Sequence, residues 1–281
     1  MDTTFAGANV RYAAGGRGAD GPDPGSTAPA VVLVHGAGMD RTIWQLQTRW
    51  LAHHGFRPIA VDLPGHGGSD GPPLGSIPDL ADWIASFVDH LGVGPAHLVG
   101  HSMGALAVLE TAARHPQAAA SLIMLGVSAS MPVHPDLLAA AAHDDPVAGR
   151  LITSWGIGSQ AHQGPHAVPG MWLVGGSNAL IARSPAGSLS ADLLACAAHQ
   201  GALEAAARVT CPATFILGSQ DKMTPARAAA PLAEAIADST TTVLPGVGHT
   251  MMIESPAEVR QALHAALTRA EAARQKASRQ Q

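Results

Sequence analysis

Short apolar runs recur along this chain, and glycine-rich turns and stretches of helical periodicity separate them. The first strong run is Ala30-Val31-Val32-Leu33-Val34, continuous and β-branched, as expected of a strand buried on both faces of a parallel sheet. Similar runs follow at 58–61, Leu98-Val99, 121–125, 213–217 and 240–244. Helical patterns over 41–54, 77–91, 103–114, 226–237 and 257–272 alternate with them, which predicts a parallel sheet with helices on both faces. Weak strand signals occupy 3–12, and a Gly/Pro/Asp-rich connection covers 15–29.

Between residues 128 and 207 the alternation breaks down into helical pieces near 135–142, 146–155 and 189–207, separated by Gly/Pro/Ser-rich connections such as 156–170. A structureless loop of that length is implausible in a compact domain. The expected organisation is an α/β core from 1–127 and 208–281, with 128–207 forming a helical cap over it. The tail 273–281 is polar and is expected to fray.

The turns after the apolar runs carry the chemistry. Gly100-His101-Ser102-Met103-Gly104 follows a strand and opens a helix, the Gly-x-Ser-x-Gly context that exposes a serine oxygen on a strained turn. A serine hydroxyl needs a base within reach and a group to orient that base. His249 follows the 240–244 strand and Asp221 follows the 213–217 strand, giving the order Ser102, Asp221, His249 of a hydrolase triad. Asp221 could instead cap the helix beginning near Pro225, and His249 could be a surface loop residue. Asp62 and Asp70, both in the glycine loop, are poorer acids by position, and no carboxylate directly follows Leu125.

The turn after Ser102 offers the Met103 N–H to a developing oxyanion, and the loop His35-Gly36-Ala37-Gly38 offers that of Ala37 unless it is an ordinary tight turn. Pocket candidates are His101, beside the nucleophile, and Met131, Leu151, Trp155, Met171 and Trp172, although each of the latter could simply pack the cap onto the sheet.

Composition narrows the function. The 281 residues are 47% hydrophobic and 13% charged, consistent with a sizeable core. No apolar stretch reaches the roughly 18 residues of a spanning helix, and the N-terminus lacks a basic region followed by an apolar run, so a cytoplasmic protein without membrane partners is expected. A net charge of −5 with scattered basic residues gives no footprint for nucleic acid. Cys196 and Cys211 form no disulfide framework, and the 15 histidines form no metal-ligand pattern, so neither metal nor other cofactor is expected.

His35-Gly36-Ala37-Gly38 with Trp44 downstream, the loop Asp62 through Ser69, Gly100 through Gly104, Gly218-Ser219-Gln220-Asp221 and Gly248-His249 together resemble the α/β-hydrolase superfamily over nearly the whole chain. They look most like the small cap-bearing hydrolases, which include carboxylesterases, enol-lactonases, carbon–carbon bond hydrolases and cofactor-free haloperoxidases. The resemblance implies an eight-stranded, mostly parallel sheet, a helical cap, and Ala37 and Met103 as oxyanion donors. A serine at 102 speaks against the haloalkane dehalogenase branch, and the lone His35-Gly36 against the hormone-sensitive-lipase-like branch. With Lys222 the only basic residue near the motifs, and Arg150 and Arg183 in the cap, a small, neutral, moderately apolar ester is the expected substrate. Lactone or carbon–carbon cleavage by the same residues, and a low-turnover binding protein, are the alternatives. A monomer or homodimer is expected.

Overall fold

The computed structural model describes residues 1–15, 27–163, 168 and 170–279. Its strands are β1 (Asp2–Phe5), β2 (Ala8–Ala14), β3 (Ala30–Val34), β4 (Arg57–Val61), β5 (Ala96–His101), β6 (Ala119–Leu125), β7 (Ala213–Gly218) and β8 (Ser239–Leu244). They form one sheet in the order β1-β2-β4-β3-β5-β6-β7-β8. The β1–β2 hairpin and its pairing to β4 are antiparallel, and every later pairing is parallel. This is the expected eight-stranded, mostly parallel α/β-hydrolase sheet.

In chain order the helices are α1 (Gln45–His53), α2 (Ile77–His90), α3 (Met103–Arg114), α4 (Pro135–Ala142), α5 (Val147–Gly156), α6 (Ser159–Gln163), α7 (Leu173–Ala182), α8 (Ser188–Ala198), α9 (Ala202–Arg208), α10 (Ala230–Ala235), α11 (Met251–Glu254) and α12 (Pro256–Ser278).

The continuous apolar strands make sense because both sheet faces are covered. Successive residues of a strand point to opposite faces, so Val32 and Val34 of β3 join one core while Val31 and Leu33 join the other. Leu122 and Met124 against Ile123 and Leu125 repeat the division on β6. Helices α2 and α3 cover the first face, and α1 and α12 cover the second. A third, smaller core joins Leu137, Ile152, Ile181, Leu189 and Leu193 from α4, α5, α7 and α8. Helix α9 lies instead against α3 and α10, and its Ala202, Ala205 and Ala206 belong to the first core.

Several elements depart from the sequence expectation. The helix expected over 41–54 starts as a 3-10 turn, Arg41–Trp44, capped by Asp40, which accepts the Thr42 N–H. The single helix expected over 189–207 is broken at Gly201 into α8 and α9. Helix α7 and the short α6 had no counterpart in the expected pieces. The tail expected to fray from 273 continues α12 to Ser278. Its residues are strong helix formers, Glu271 and Arg274 pair one turn apart, and extending an existing helix costs little even without a buried face. The 15–29 connection and the 156–170 connection fall partly outside the described residues.

Candidate active site

Ser102 sits where β5 becomes α3, with φ 54° and ψ −118°, a conformation that L side chains rarely adopt. The flanking glycines are required because strand and helix backbones touch there. A Cβ on Gly100 would run into the Gly104 carbonyl, and one on Gly104 would lie 2.6 Å from the Val34 carbonyl oxygen. The Ser102 N–H still extends the sheet ladder to the Leu125 carbonyl at 2.9 Å. The strained residue is thereby held from both sides and borders a cavity at the C-terminal ends of the parallel strands.

His249, which lines the same cavity, is 2% exposed, and its Nδ1 lies 2.7 Å from Asp221 Oδ2. A carboxylate facing Nδ1 places the proton there, which leaves Nε2 free as a base. The two oxygens of Asp221 divide their duties. Oδ1 accepts the backbone N–H groups of Met223 and Thr224, each at 2.8 Å, and so caps the turn. Oδ2 takes the imidazole and also the Thr224 hydroxyl, at 2.7 Å. Burial alone would raise the Asp221 pKa. The charge and hydrogen bond of His249, with the bonds from Thr224, outweigh burial and hold the carboxyl below its ordinary value. The helical turn that begins after Pro225 has no side-chain cap, so Asp221 does not cap it; one of its oxygens braces the preceding turn while the other holds the imidazole.

The glycine that follows β6 has a related cause. Gly126 has φ 59°, and a Cβ on it would stand 3.0 Å from His249 Nδ1 and 3.4 Å from Asp221 Oδ2. Asp62, the rival acid, is engaged elsewhere: it pairs with Arg41 and accepts the Gly68 N–H, bracing the glycine loop.

Two buried histidines shape the donor side. Burial, helped by the charge of His66, lowers the His35 pKa to about 4, so the ring is neutral. Its Nε2 accepts the Leu63 N–H at 3.1 Å and its Nδ1–H donates to the Gly36 carbonyl at 2.9 Å, with the Met39 N–H donating to the same oxygen at 3.2 Å. In a planar trans peptide the N–H points opposite the C=O, so anchoring the Gly36 oxygen directs the Ala37 N–H the other way, and Ala37 borders the cavity. Met103 opens α3, where a helix start leaves N–H groups without intrahelical partners.

Burial and the neighbouring His249 lower the His101 pKa to about 3. Its Nε2–H donates to the His249 carbonyl at 3.0 Å, steadying the backbone that carries His249.

The cavity measures about 330 Å³. Of the expected pocket residues, His101, Met131 and Trp155 line it, joined by Leu137, Ile152 and Cys196. Trp172 does not. It is 75% exposed, and its ring lies over Gly175 at the start of α7, facing outward. Met171 packs against the second core and Leu151 against the smallest one, and neither lines the cavity. Lys222 and His134 supply polar lining. Burial pushes the Cys196 thiol up to about 12.

Sequence reasoning passed over Thr224, His35, His66 and Asp192. Thr224 could have been found as a hydroxyl three residues after the acid. Nothing local marks Asp192, since its partners lie in distant loops. Among the described residues no group of three His, Cys, Asp or Glu is arranged to hold a metal ion, and no helix is long and apolar enough to cross a membrane.

Comparison with known proteins agrees with this architecture. The sequence profile of the alpha/beta hydrolase family matches residues 31–262. A pimeloyl-[acyl-carrier protein] methyl ester esterase of Methylococcus capsulatus is 45% identical over 101 residues, 34% of this chain and 36% of that protein. A 2-hydroxy-6-oxononadienedioate/2-hydroxy-6-oxononatrienedioate hydrolase of Burkholderia vietnamiensis is 40% identical over 109 residues, 37% of this chain and 38% of that protein. The matched stretch thus spans little more than a third of either relative. The crystal structure of an enol-lactonase from Burkholderia xenovorans superposes with a TM-score of 0.81 at 20% identity, covering 95% of this chain and 100% of that one, a likeness of fold.

Proposed function

We propose, from the premise that this chain belongs to the alpha/beta hydrolase family, that it is a serine hydrolase cleaving a carboxylic ester of a small, neutral, moderately apolar substrate. The observation that carries the proposal is the ordered line from Asp221 through His249 to the cavity that Ser102 borders. Ser102 Oγ attacks the ester carbonyl carbon while His249 Nε2 takes the hydroxyl proton. The carbonyl oxygen becomes an oxyanion that the N–H groups of Ala37 and Met103 receive. His249 returns the proton to the departing alkoxide, leaving an acyl-enzyme, and a water activated by the same nitrogen hydrolyses it. Asp221 stays ionised throughout and stabilises the imidazolium.

Helices α4, α5, α7 and α8 act as the cap in this reading. Met131, Leu137, Ile152 and Trp155 form an apolar roof, and among the described residues Lys222 is the one lysine or arginine in the lining. That lining favours a neutral ester over a dianionic substrate, which calls for paired cations. Lactone opening uses the same steps and differs only in keeping both products in one molecule, so product analysis separates the two.

The test is turnover of short-chain aryl esters by wild type and Ser102→Ala, with a fluorophosphonate to titrate the nucleophile. Near wild-type turnover by Ser102→Ala defeats the proposal.

A further inference from the structure

Helix α8 reaches from the cavity wall down to the loop after β3 through one carboxylate. Asp192 is 1% exposed, and its Oδ2 accepts the Gly38 N–H at 2.8 Å and lies 2.9 Å from His66 Nε2. His66, equally buried in the glycine loop after β4, turns its Nδ1 to the Pro64 carbonyl at 3.0 Å. Both ring nitrogens thus face acceptors. A neutral imidazole has a single N–H, so only the imidazolium satisfies both contacts. At the start of α8, Ser188 Oγ donates to the Gly65 carbonyl at 2.7 Å, and Leu189 fills the space that a Cβ on Gly38 would need. The helix is fastened to both loops at once.

We propose that Asp192 and His66 are positioning residues for the oxyanion hole: the carboxylate, carried by α8 and neutralised by the buried imidazolium, anchors Gly38 and thereby sets the direction of the neighbouring Ala37 N–H. The proposal rests on the reading of Ala37 as a donor to an intermediate formed at Ser102. Ala37 lies between two anchored peptides. The Gly36 carbonyl is held by His35 and Met39, and the Gly38 N–H is held by Asp192. Releasing the second anchor lets Gly38, at φ 65°, relax and carry Ala37 with it. The donor side of the site is therefore complete only while α8 is seated.

The charged and titratable groups around His66 can be named element by element. His35, after β3, has its ring 4.9 Å away and is held neutral. Asp62, after β4, is paired with Arg41, and Asp40 is paired with Arg183 at 2.6 Å. Asp192 comes from α8. Burial pushes the His66 pKa down, but the bond and charge of Asp192, the Pro64 carbonyl and Asp62 outweigh it and hold the pKa above the ordinary histidine value. With a folded value raised above the unfolded one, the contribution of the ionised His66 is fully present below the unfolded value and is lost as pH rises through the folded value. kcat should therefore fall as pH rises through that folded value, which gives the profile an alkaline limb.

The experiment measures kcat and KM for an aryl ester from neutral to alkaline pH in wild type, Asp192→Asn and Ser102→Ala. Asp192→Asn, which keeps the shape and removes the charge, is expected to lower kcat roughly 10–100-fold with little change in KM, as befits an anchor misplaced by a fraction of an ångström to an ångström. Its alkaline limb should move or vanish, and Asp192→Glu, which restores the charge, should restore that limb. Wild-type kcat with an unshifted alkaline limb in Asp192→Asn, when Ser102→Ala is inactive, overturns the positioning role alone. Turnover retained by Ser102→Ala overturns the nucleophile reading and this proposal with it. Should Asp192→Asn fail to fold, nitrogen-15 imidazole spectra of the wild-type protein decide. A doubly protonated His66 at neutral pH supports the proposal, and a singly protonated ring overturns it.

Discussion

The turns at the C-terminal ends of β3, β5, β7 and β8 line one cavity together with helices α4, α5 and α8, and the two sides are built under different constraints. On the strand side the backbone decides. Gly100 and Gly104 leave no room for a side chain, Ser102 holds a strained φ, and Gly126 makes space for the Asp221–His249 pair. On the helical side packing decides. Trp155 borders the cavity while Trp172, also aromatic and in the same segment, faces solvent. A constraint written into glycine spacing survives translation into sequence, whereas one settled by which helix face turns inward does not.

The contrast breaks if the strand-side residues prove dispensable. Ser102→Ala is expected to lower kcat by roughly 10⁶-fold and Asp221→Asn by roughly 10⁴-fold on the same ester, since triad members act as a unit and a lost carboxylate leaves the wrong imidazole tautomer. Asp221→Asn also tests stability. With its folded pKa lowered, Asp221 adds stability that is present above the unfolded value and lost as pH falls through the folded one. The fall in Tm across that acidic window should be shallower in Asp221→Asn than in wild type.

Glycine substitutions sharpen the comparison. Gly104→Ala pushes a methyl group into the Val34 and His35 carbonyls and should cost about 1–3 kcal/mol or more by chemical denaturation. Gly176→Ala in α7 meets no atom within 4 Å and should instead stabilise by about 0.5–1 kcal/mol, because alanine is the better helix former. Equal losses at the two positions would erase the distinction between the regions.

The smallest effects are expected from the two tryptophans. Trp155→Ala should reorder kcat/KM across esters of graded chain length, with changes of about 1–3 kcal/mol in discrimination. Trp172→Ala should leave that order intact and change stability by no more than about 0.5 kcal/mol, as for other exposed positions. Reordering by Trp172→Ala would mean that its outward position does not describe the working enzyme.

Legibility followed the same division. Strands β3 and β5, the strained turn at Ser102 and the positions of Asp221 and His249 after β7 and β8 could be read from local residues, because apolar runs, glycines and strand ends suffice to place them. Helix α7 escaped notice because its glycines and small residues give a weak periodic signal, and the break at Gly201 was overridden by the alanine-rich sequence on both sides. The polar tail of α12 persisted because propensity alone extends a helix already anchored by Val259, Leu263 and Leu267. His66 carries no local signal of its partner, since the carboxylate that explains it lies 126 residues away.

Cys196 gives α8 a clock of its own. The thiol sits on the helix wall facing the cavity, 4% exposed and with its pKa pushed up to about 12, so alkylating reagents meet almost no thiolate while the helix is seated. In a Cys211→Ser background the alkylation rate reports how often α8 lifts, and comparison with the rate for an unfolded peptide converts it into a local opening free energy. Substrates that fill the cavity against that wall would slow the clock in proportion to their occupancy, which measures the fit of an acyl chain without any turnover at all.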